Sequence, residues 1–185
     1  AAERTKRLRR ALFAAIPLFA VGMYGATRVL AARDLERRIQ TSLTQGRKLF
    51  DDALRQEQTL LRVRSDAYKK FDEQKRDDAE ELWSQALKLA RETDRAFTRA
   101  GQVLEAALSL DSNRADVRTA MTDVLFARAR AAEQESDSAR VEDLIQRMSL
   151  YDKEGSRLRE WQAPAHFSLT TNPPGARVFA QKYSE

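Results

Sequence analysis

The chain divides into stretches with different patterns of apolar and polar residues, and the first stretch is the most apolar. Residues 11–27 are seventeen positions without a charged side chain, between Arg10 and Arg28. Seventeen helical residues rise about 25 Å. The apolar run continues to residue 32 if the long Arg28 side chain extends to an interface. The pattern therefore predicts a transmembrane helix over residues 11–32.

The same run is also compatible with a buried core helix or a cleaved signal peptide. A buried core helix would not need the basic residues that crowd its start. A cleaved signal peptide would have such a basic start, an apolar centre and a small-residue cleavage site, which residues 29–31 resemble. Because the chain opens with Ala-Ala-Glu rather than Met, we expect it to be an excerpt from a longer protein, whose internal apolar run spans the membrane. Gly22 and Ala26 have a spacing typical of associating membrane helices.

A long amphipathic helix is predicted next. From residue 34 to residue 71 apolar side chains recur every three or four positions, with no proline and only one glycine, Gly46. We expect Gly46 to be a weak point of this helix. Residues 72–78 have no apolar side chain and predict a turn. The alternative is an uninterrupted solvated helix, since charged runs are also good helix formers.

Residues 79–110 have the most regular pattern, a seven-residue repeat over more than four heptads. One edge of the repeat carries small side chains and the other carries large ones, which favours two antiparallel helices at a short interaxial distance. The preceding helix is the expected partner. Two further helices are predicted over 115–135 and 139–150. The predicted helix-packing seam consists of Ala79, Leu82, Trp83, Ala86, Leu89, Ala100, Val103, Ala107 and Leu110.

Part of this repeat also matches a known motif. The matching residues are Ala79, Trp83, Ala86, Leu87 and Leu89, and then Ala100, Leu104, Ala107, Leu108, Leu110, Asp111, Ser112 and Asn113. They resemble the second helix and exit turn of tetratricopeptide repeats. The two half-motifs are 21 residues apart instead of the family's 34. The alternative is a simple heptad seam whose residues coincide with the motif. Both interpretations imply antiparallel helices and a protein-binding or scaffolding surface.

The last residues change to a β-type pattern. Residues 166–171 predict a strand, 172–175 a tight turn and 176–180 a returning strand. Pro174, Gly175 and Ala176 match the turn of the PEGA-type β-sandwich, and this hairpin resembles its opening. A two-stranded hairpin is marginally stable alone, so we expect the domain to continue beyond Glu185.

The distribution of charge changes the meaning of the basic composition. The chain has a formal net charge of +5 and a pI near 9.7. Residues 1–10 and Arg28 carry this excess, so that residues 29–185 are neutral overall. Nucleic-acid binding therefore loses its main support. The bases predicted to set the topology, with the N-terminus cytoplasmic, are Arg4, Lys6, Arg7, Arg9 and Arg10.

No catalytic, cofactor or metal site is predicted. The chain has no cysteine and a single histidine, His166, which cannot build a zinc site alone. No Gly-rich phosphate loop is present. The acids of residues 72–81 stand among basic and amide side chains, which favours a solvated turn over a cation loop.

These patterns together predict a mainly α fold with a single transmembrane helix, an antiparallel tetratricopeptide-like bundle and a short C-terminal β-hairpin. The predicted divisions are a basic flank over 1–10, the span over 11–32, the bundle over 33–162 and the PEGA-like start over 163–185. The predicted partners are the lipid bilayer and a protein partner or a second copy of the chain. We expect a single-pass inner-membrane protein with residues 33–185 extracytoplasmic.

The same order of segments resembles the region after the catalytic domain in bacterial transmembrane Ser/Thr protein kinases. The resemblance implies a kinase upstream in the cytoplasm and a non-catalytic sensor or spacer here. No kinase motif is present in this sequence. The alternative is a stand-alone envelope scaffold. Because no flexible linker follows residue 32, the first helix is predicted either to transmit motion or to act as a passive tether.

Overall fold

Five helices form the part of the chain that the structure describes. The computed structural model describes the backbone of residues 2–164, 168–172, 175, 177 and 179, and the side chains of these residues from 27 onward. The helices are α1 (Ala2–Asp72), α2 (Arg76–Leu110), α3 (Ala115–Gln134), α4 (Ser138–Tyr151) and α5 (Ser156–Trp161). The predicted helical bundle is therefore confirmed.

The first four helices run alternately up and down. Ion pairs fix their alignment: Arg114 at the start of α3 pairs with Glu36 of α1, and Glu135 after its end pairs with Arg64 of α1. Helix α3 thus runs parallel to α1. Helix α4 runs parallel to α2, since Arg140 pairs with Asp94 and Arg147 with Glu105. Helices α3 and α4 lie along one half of the α1–α2 hairpin, and we call α3, α4 and α5 the head.

Helices α1 and α2 pack through two matching seven-residue repeats. On α2 the small positions are all buried, and on α1 a second repeat of buried residues faces them. Small side chains at one position per heptad let two antiparallel helices approach closely. The buried α2 positions are Ala79, Ala86, Thr93, Ala100 and Ala107, and those of α1 are Ile39, Gly46, Ala53, Leu60 and Ala67.

The large side chains of the predicted seam have unequal environments. Leu82, Trp83, Leu89 and Val103 are partly buried, and Leu110 is exposed. Trp83 packs against Tyr68 of α1 with 5.7 Å between ring centroids. Phe97 and Leu104, on the Trp83 side of the repeat, are the large residues that lie fully inside.

Gly46 of α1 lies directly against the Leu104 side chain of α2, and α1 continues through it without a break. A Cβ atom at residue 46 would lie 2.6 Å from Leu104 Cδ2 and 2.8 Å from Leu104 Cγ. These distances are far below ordinary carbon–carbon contacts of about 3.5–4.0 Å. The glycine therefore makes room for Leu104, and α1 is not interrupted at the predicted weak point.

Leucine at Ala86 or Ala100 should overpack this interface. Both alanines have no exposed surface, so each substitution should lower the free energy of unfolding by about 1–3 kcal/mol. The exposed Lys88 of the same helix is the control position, and Lys88→Leu should change stability by less than about 0.5 kcal/mol. Urea unfolding followed by circular dichroism measures all three. Equal tolerance at the three positions would place the seam on another face of α2.

Two of the turns are helix C-caps built without glycine. After α1, Gln74 has φ +60°, Lys75 N–H donates to Lys70 C=O and Gln74 N–H donates to Phe71 C=O. After α3, Ser136 has φ +57° and the same pair of bonds forms. This is the Schellman arrangement, which usually has glycine at the left-handed position. The turn predicted within 72–78 is present and comprises residues 73–75, so the alternative of an uninterrupted helix is wrong.

The structure corrects the predicted membrane span and localisation. Within the described residues, no helix has a stretch that is both long and apolar enough to cross a bilayer. Helix α1 passes from Thr27 directly into a segment that carries charge in nearly every turn, beginning with Arg28, Arg33 and Asp34. The predictions of a transmembrane helix over 11–32 and of a single-pass protein are therefore contradicted. The side chains of residues 11–26 lie outside the described part.

The predicted C-terminal β-hairpin is also contradicted. Residues 168–171 are described and form no strand, and no strand occurs elsewhere among the described residues. Leu169 is 60% exposed and Phe179 is 81% exposed, so neither side chain packs on a core. An apolar face that covers nothing cannot hold two strands together. Gly175 has φ +90° in a turn; the predicted hairpin residues 166, 167, 173, 174, 176, 178 and 180 lie outside the described residues.

Candidate functional site

An open and partly apolar groove of the head lies between the end of α3, helix α4 and helix α5. Its volume is about 690 Å³. The partly buried side chains of Val141, Ile145 and Trp161 form its apolar part. We call it the α4–α5 groove, and its remaining lining residues are Glu133, Ser136, Asp137, Ser138, Glu142 and Gln146.

Local structure fixes one end of this groove. Asp137 caps α4, because its carboxylate accepts a hydrogen bond of 3.1 Å from Arg140 N–H. A side-chain oxygen at this position satisfies one of the free N–H groups of a helix start. The left-handed Ser136 turns the chain between α3 and α4. The mouth of the groove is therefore set by a turn in which the Ser136 and Asp137 N–H groups both bond carbonyls of α3.

The other end is held by α5, which packs across α3. The Trp161 ring meets Phe126 edge to face, with 6.1 Å between centroids. The Arg157 guanidinium donates to Asp123 at 2.9 and 2.7 Å and lies 5.2 Å from the Phe126 ring centroid. Helix α5 has only six residues, so these contacts rather than helix propensity hold Trp161 in place.

A second feature is a cluster of charged side chains where the head meets the α1–α2 hairpin. Asp94 accepts from both Arg128 and Arg140. Arg128 is partly buried, and this burial is the main reason why its pKa is lowered. The charges of Arg140 and Arg147 lower the pKa further, and the attraction of Asp94 offsets only part of the shift. The hydroxyl of Thr93, 97% buried, has no hydrogen-bond partner in the described structure. We call Thr93, Asp94, Arg128 and Arg140, together with Glu57, Arg64 and Glu135, the junction cluster.

Glu57 is the one carboxylate of the junction cluster without an ion pair in the described structure. It lines the small space beside Thr93 and Arg128. Burial raises its pKa above the ordinary value of 4.5, and the charge of Arg130 only partly offsets that effect. Because the folded state binds this proton more tightly than the unfolded state, the resulting contribution to stability is full below 4.5 and is lost as the pH rises through the folded-state pKa.

Glu57→Gln should therefore raise the free energy of unfolding at pH 7 by removing a charge that burial disfavours. The gain should shrink towards zero below pH 4.5, where the wild-type carboxyl is also neutral. Urea unfolding at a series of pH values measures the difference. Glu92→Gln, at an exposed position of α2, is the control and should change stability by less than about 0.5 kcal/mol throughout. A Glu57→Gln protein less stable than wild type at pH 7 would contradict this account.

Neither feature has the chemistry of an active site. Within the described part of the chain no group of three His, Cys, Asp or Glu side chains is placed to hold a metal. The arginines of the junction cluster bond carboxylates of the same cluster. A further polar groove between α3 and α5 has a volume of about 410 Å³. Two of its arginines bond within the head: Arg157 to Asp123 and Glu160, and Arg118 to the Leu150 and Tyr151 carbonyls.

The groove contains none of the residues predicted to form the helix-packing seam, to set the topology or to associate membrane spans. The predicted seam residues lie along α2, and Leu110 at its end does not pack inside. The side chains of the predicted topology-setting bases and of the predicted span-association pair Gly22 and Ala26 lie outside the described residues. His166 lies outside them as well. Val141 and Ile145 lie within the helix predicted over 139–150, but sequence alone did not show that Trp161 would stand beside them.

Comparisons with protein-family models, with curated proteins and with solved structures give no match to this chain.

Proposed function

We propose that this chain is a non-catalytic helical spacer and protein-interaction module, in which the α1–α2 hairpin holds the head and the head binds a segment of a partner protein in the α4–α5 groove. The observation that carries the proposal is the partly buried Trp161 beside Val141 and Ile145 in an open groove. Aromatic side chains that leave one face accessible are frequent anchors of protein interfaces. That this chain is a segment of a larger Ser/Thr protein kinase stays a prediction, which rests on the order of its sequence segments.

The α1–α2 hairpin supports the spacer part of the proposal. Helix α2 has 35 residues and is therefore about 50 Å long. Its small-residue seam runs from Ala79 to Ala107 with every position buried against α1. A helix pair packed along its whole length is stiffer than a glycine-rich linker of the same number of residues. The head is thus held in a defined position relative to the turn at residues 73–75.

Selection of binders from a random peptide library tests the interaction part. Gln146→Trp fills the groove from an exposed position without changing the core, and Asp143→Trp places the same residue on α4 outside the groove. Peptides enriched on the wild-type protein should bind Asp143→Trp equally well and lose affinity for Gln146→Trp. Enriched peptides that do not distinguish the two variants, or the absence of enrichment on the wild-type protein, would contradict the proposal. Thermal melts establish that both variants are folded.

A further inference from the structure

The rim of the α4–α5 groove is acidic. Glu133, Asp137 and Glu142 line it, and none of its lining residues is basic. Neither Glu133 nor Glu142 takes part in an ion pair within the described structure, and both are exposed. The groove therefore presents three carboxylates in a chain whose net charge is +5. The local charge is opposite to that of the whole protein.

The base nearest to Asp137 and Glu142 in sequence, Arg140, forms its ion pair elsewhere. Arg140 lies in the first turn of α4, between Asp137 and Glu142 in sequence. Its guanidinium reaches in another direction and bonds Asp94 of α2. Arg128 and Arg147 are likewise bonded to acids of α2. These three bases thus face the hairpin, whereas Glu133 and Glu142 line the groove without an ion pair in the described structure.

The inner part of the groove is apolar and aromatic. Val141 and Ile145 lie one helical turn apart on the same face of α4, and Trp161 closes the other side. Apolar side chains three or four positions apart on a helix offer a strip that two or three apolar side chains of a partner can cover. Phosphate groups would be repelled by the rim, so a nucleic acid is a poor occupant.

We propose that the α4–α5 groove binds a short segment of a partner protein in which apolar residues are flanked by Lys or Arg. The apolar residues cover Val141, Ile145 and Trp161, and the flanking cations meet Glu133, Asp137 and Glu142. Complementary charge of this kind sets partner choice and association rate more than total affinity. This inference rests on the proposed function and adds the chemistry of the partner.

Two synthetic peptides with the same leucines on one face test the inference, one flanked by lysines and the other by glutamates. The lysine peptide should bind the wild-type protein, and the glutamate peptide should not. Glu133→Gln/Glu142→Gln should weaken the lysine peptide roughly two- to thirtyfold, since each exposed charge pair contributes modestly. The matched control is Glu81→Gln/Glu92→Gln, which removes two exposed acids of α2 outside the groove and should leave the affinity unchanged.

Salt provides an independent readout. Raising the ionic strength should lower the affinity of the lysine peptide for the wild-type protein more than its affinity for Glu133→Gln/Glu142→Gln. Equal binding of the two peptides, or an equal loss in the groove variant and the α2 control, would overturn the inference. If the glutamate peptide binds and Gln146→Trp blocks it, the groove is still a docking site and only its partner chemistry is wrong. If peptide selection yields no groove-dependent binder at all, the proposed function fails as well.

Discussion

Gly46→Leu should lower the free energy of unfolding by about 3 kcal/mol, at the upper end of the usual cost of overpacking. Even a single Cβ atom at this position would lie 2.6 Å from Leu104 Cδ2. Leu104 has no exposed surface and belongs to the main core. The side chain therefore cannot turn aside, and the two long helices must separate. Urea unfolding measures the loss.

Alanine substitutions provide a matched comparison at two buried helical glycines. Glycine to alanine inside a helix gains about 1 kcal/mol from propensity alone. At Gly101 the new Cβ would lie 3.8 Å from Val124 Cγ1, an ordinary contact, so Gly101→Ala should stabilise the protein. At Gly46 the clash with Leu104 should outweigh the same gain. Parallel stabilisation by both alanines would contradict the close packing of α1 on α2.

Phe97→Ala should lower the free energy of unfolding by about 3–5 kcal/mol, the usual cost of deleting a large buried side chain. Phe97 is 1% exposed and joins three helices. It packs against Phe50 of α1 with 6.0 Å between centroids, and it forms one buried cluster with Ala53 of α1 and Ala127 of α3. Ala53 and Ala127 are too small to fill the space that the Phe97→Ala substitution would leave.

Leu87→Ala on the same helix is the control, because Leu87 is 45% exposed. It should cost less than about 1 kcal/mol, since most of its area stays in water in the folded state. Chemical denaturation of the two variants under identical conditions measures the difference. A Phe97→Ala protein as stable as Leu87→Ala would mean that Phe97 does not connect the head to the hairpin.

The heptad pattern of α2 could be read from the sequence because small residues recur at one position for more than four heptads. The small residues mark the face of α2 on which a partner helix can approach closely. The preceding helix was the expected partner, and the pattern therefore favoured an antiparallel pair. The matching repeat on α1 was harder to recognise. It contains Gly46, which sequence reasoning treats as a helix weak point. Only the position of Leu104 shows that the missing side chain is required for packing.

The turns and the groove depend on information that the local sequence does not contain. Gln74 and Ser136 adopt the left-handed conformation without being glycine, so the usual signal of a helix C-cap is missing. Helix α5 is too short for a periodic pattern. Trp161 belongs to the groove because Arg157 and Phe126 hold α5 across α3, and these are contacts between residues distant in sequence.

The incorrect predictions concern both ends of the chain, where the pattern was interpreted without a packing partner. An uncharged run and a proline–glycine turn are each compatible with several structures. The basic residues beside the run favoured a membrane span, and a resemblance supported the hairpin. The described residues show no membrane-crossing helix and no strand. For the middle of the chain, by contrast, the periodicity itself specified which faces must meet.

Disulfide formation between Gly46→Cys and Leu104→Cys tests most directly whether α1 and α2 form an antiparallel hairpin in this register. The chain has no native cysteine, so the engineered pair reacts without competition. A Cβ at residue 46 would lie 2.8 Å from Leu104 Cγ, and the two Cβ atoms are then within the separation of about 3.5–4.5 Å that a disulfide needs. We expect rapid intramolecular crosslinking of this pair under mild oxidation and none for Gly46→Cys with Thr93→Cys, which is buried on the same face of α2 but three turns away. Crosslinking of the second pair instead of the first, or only crosslinking between molecules, would contradict the account.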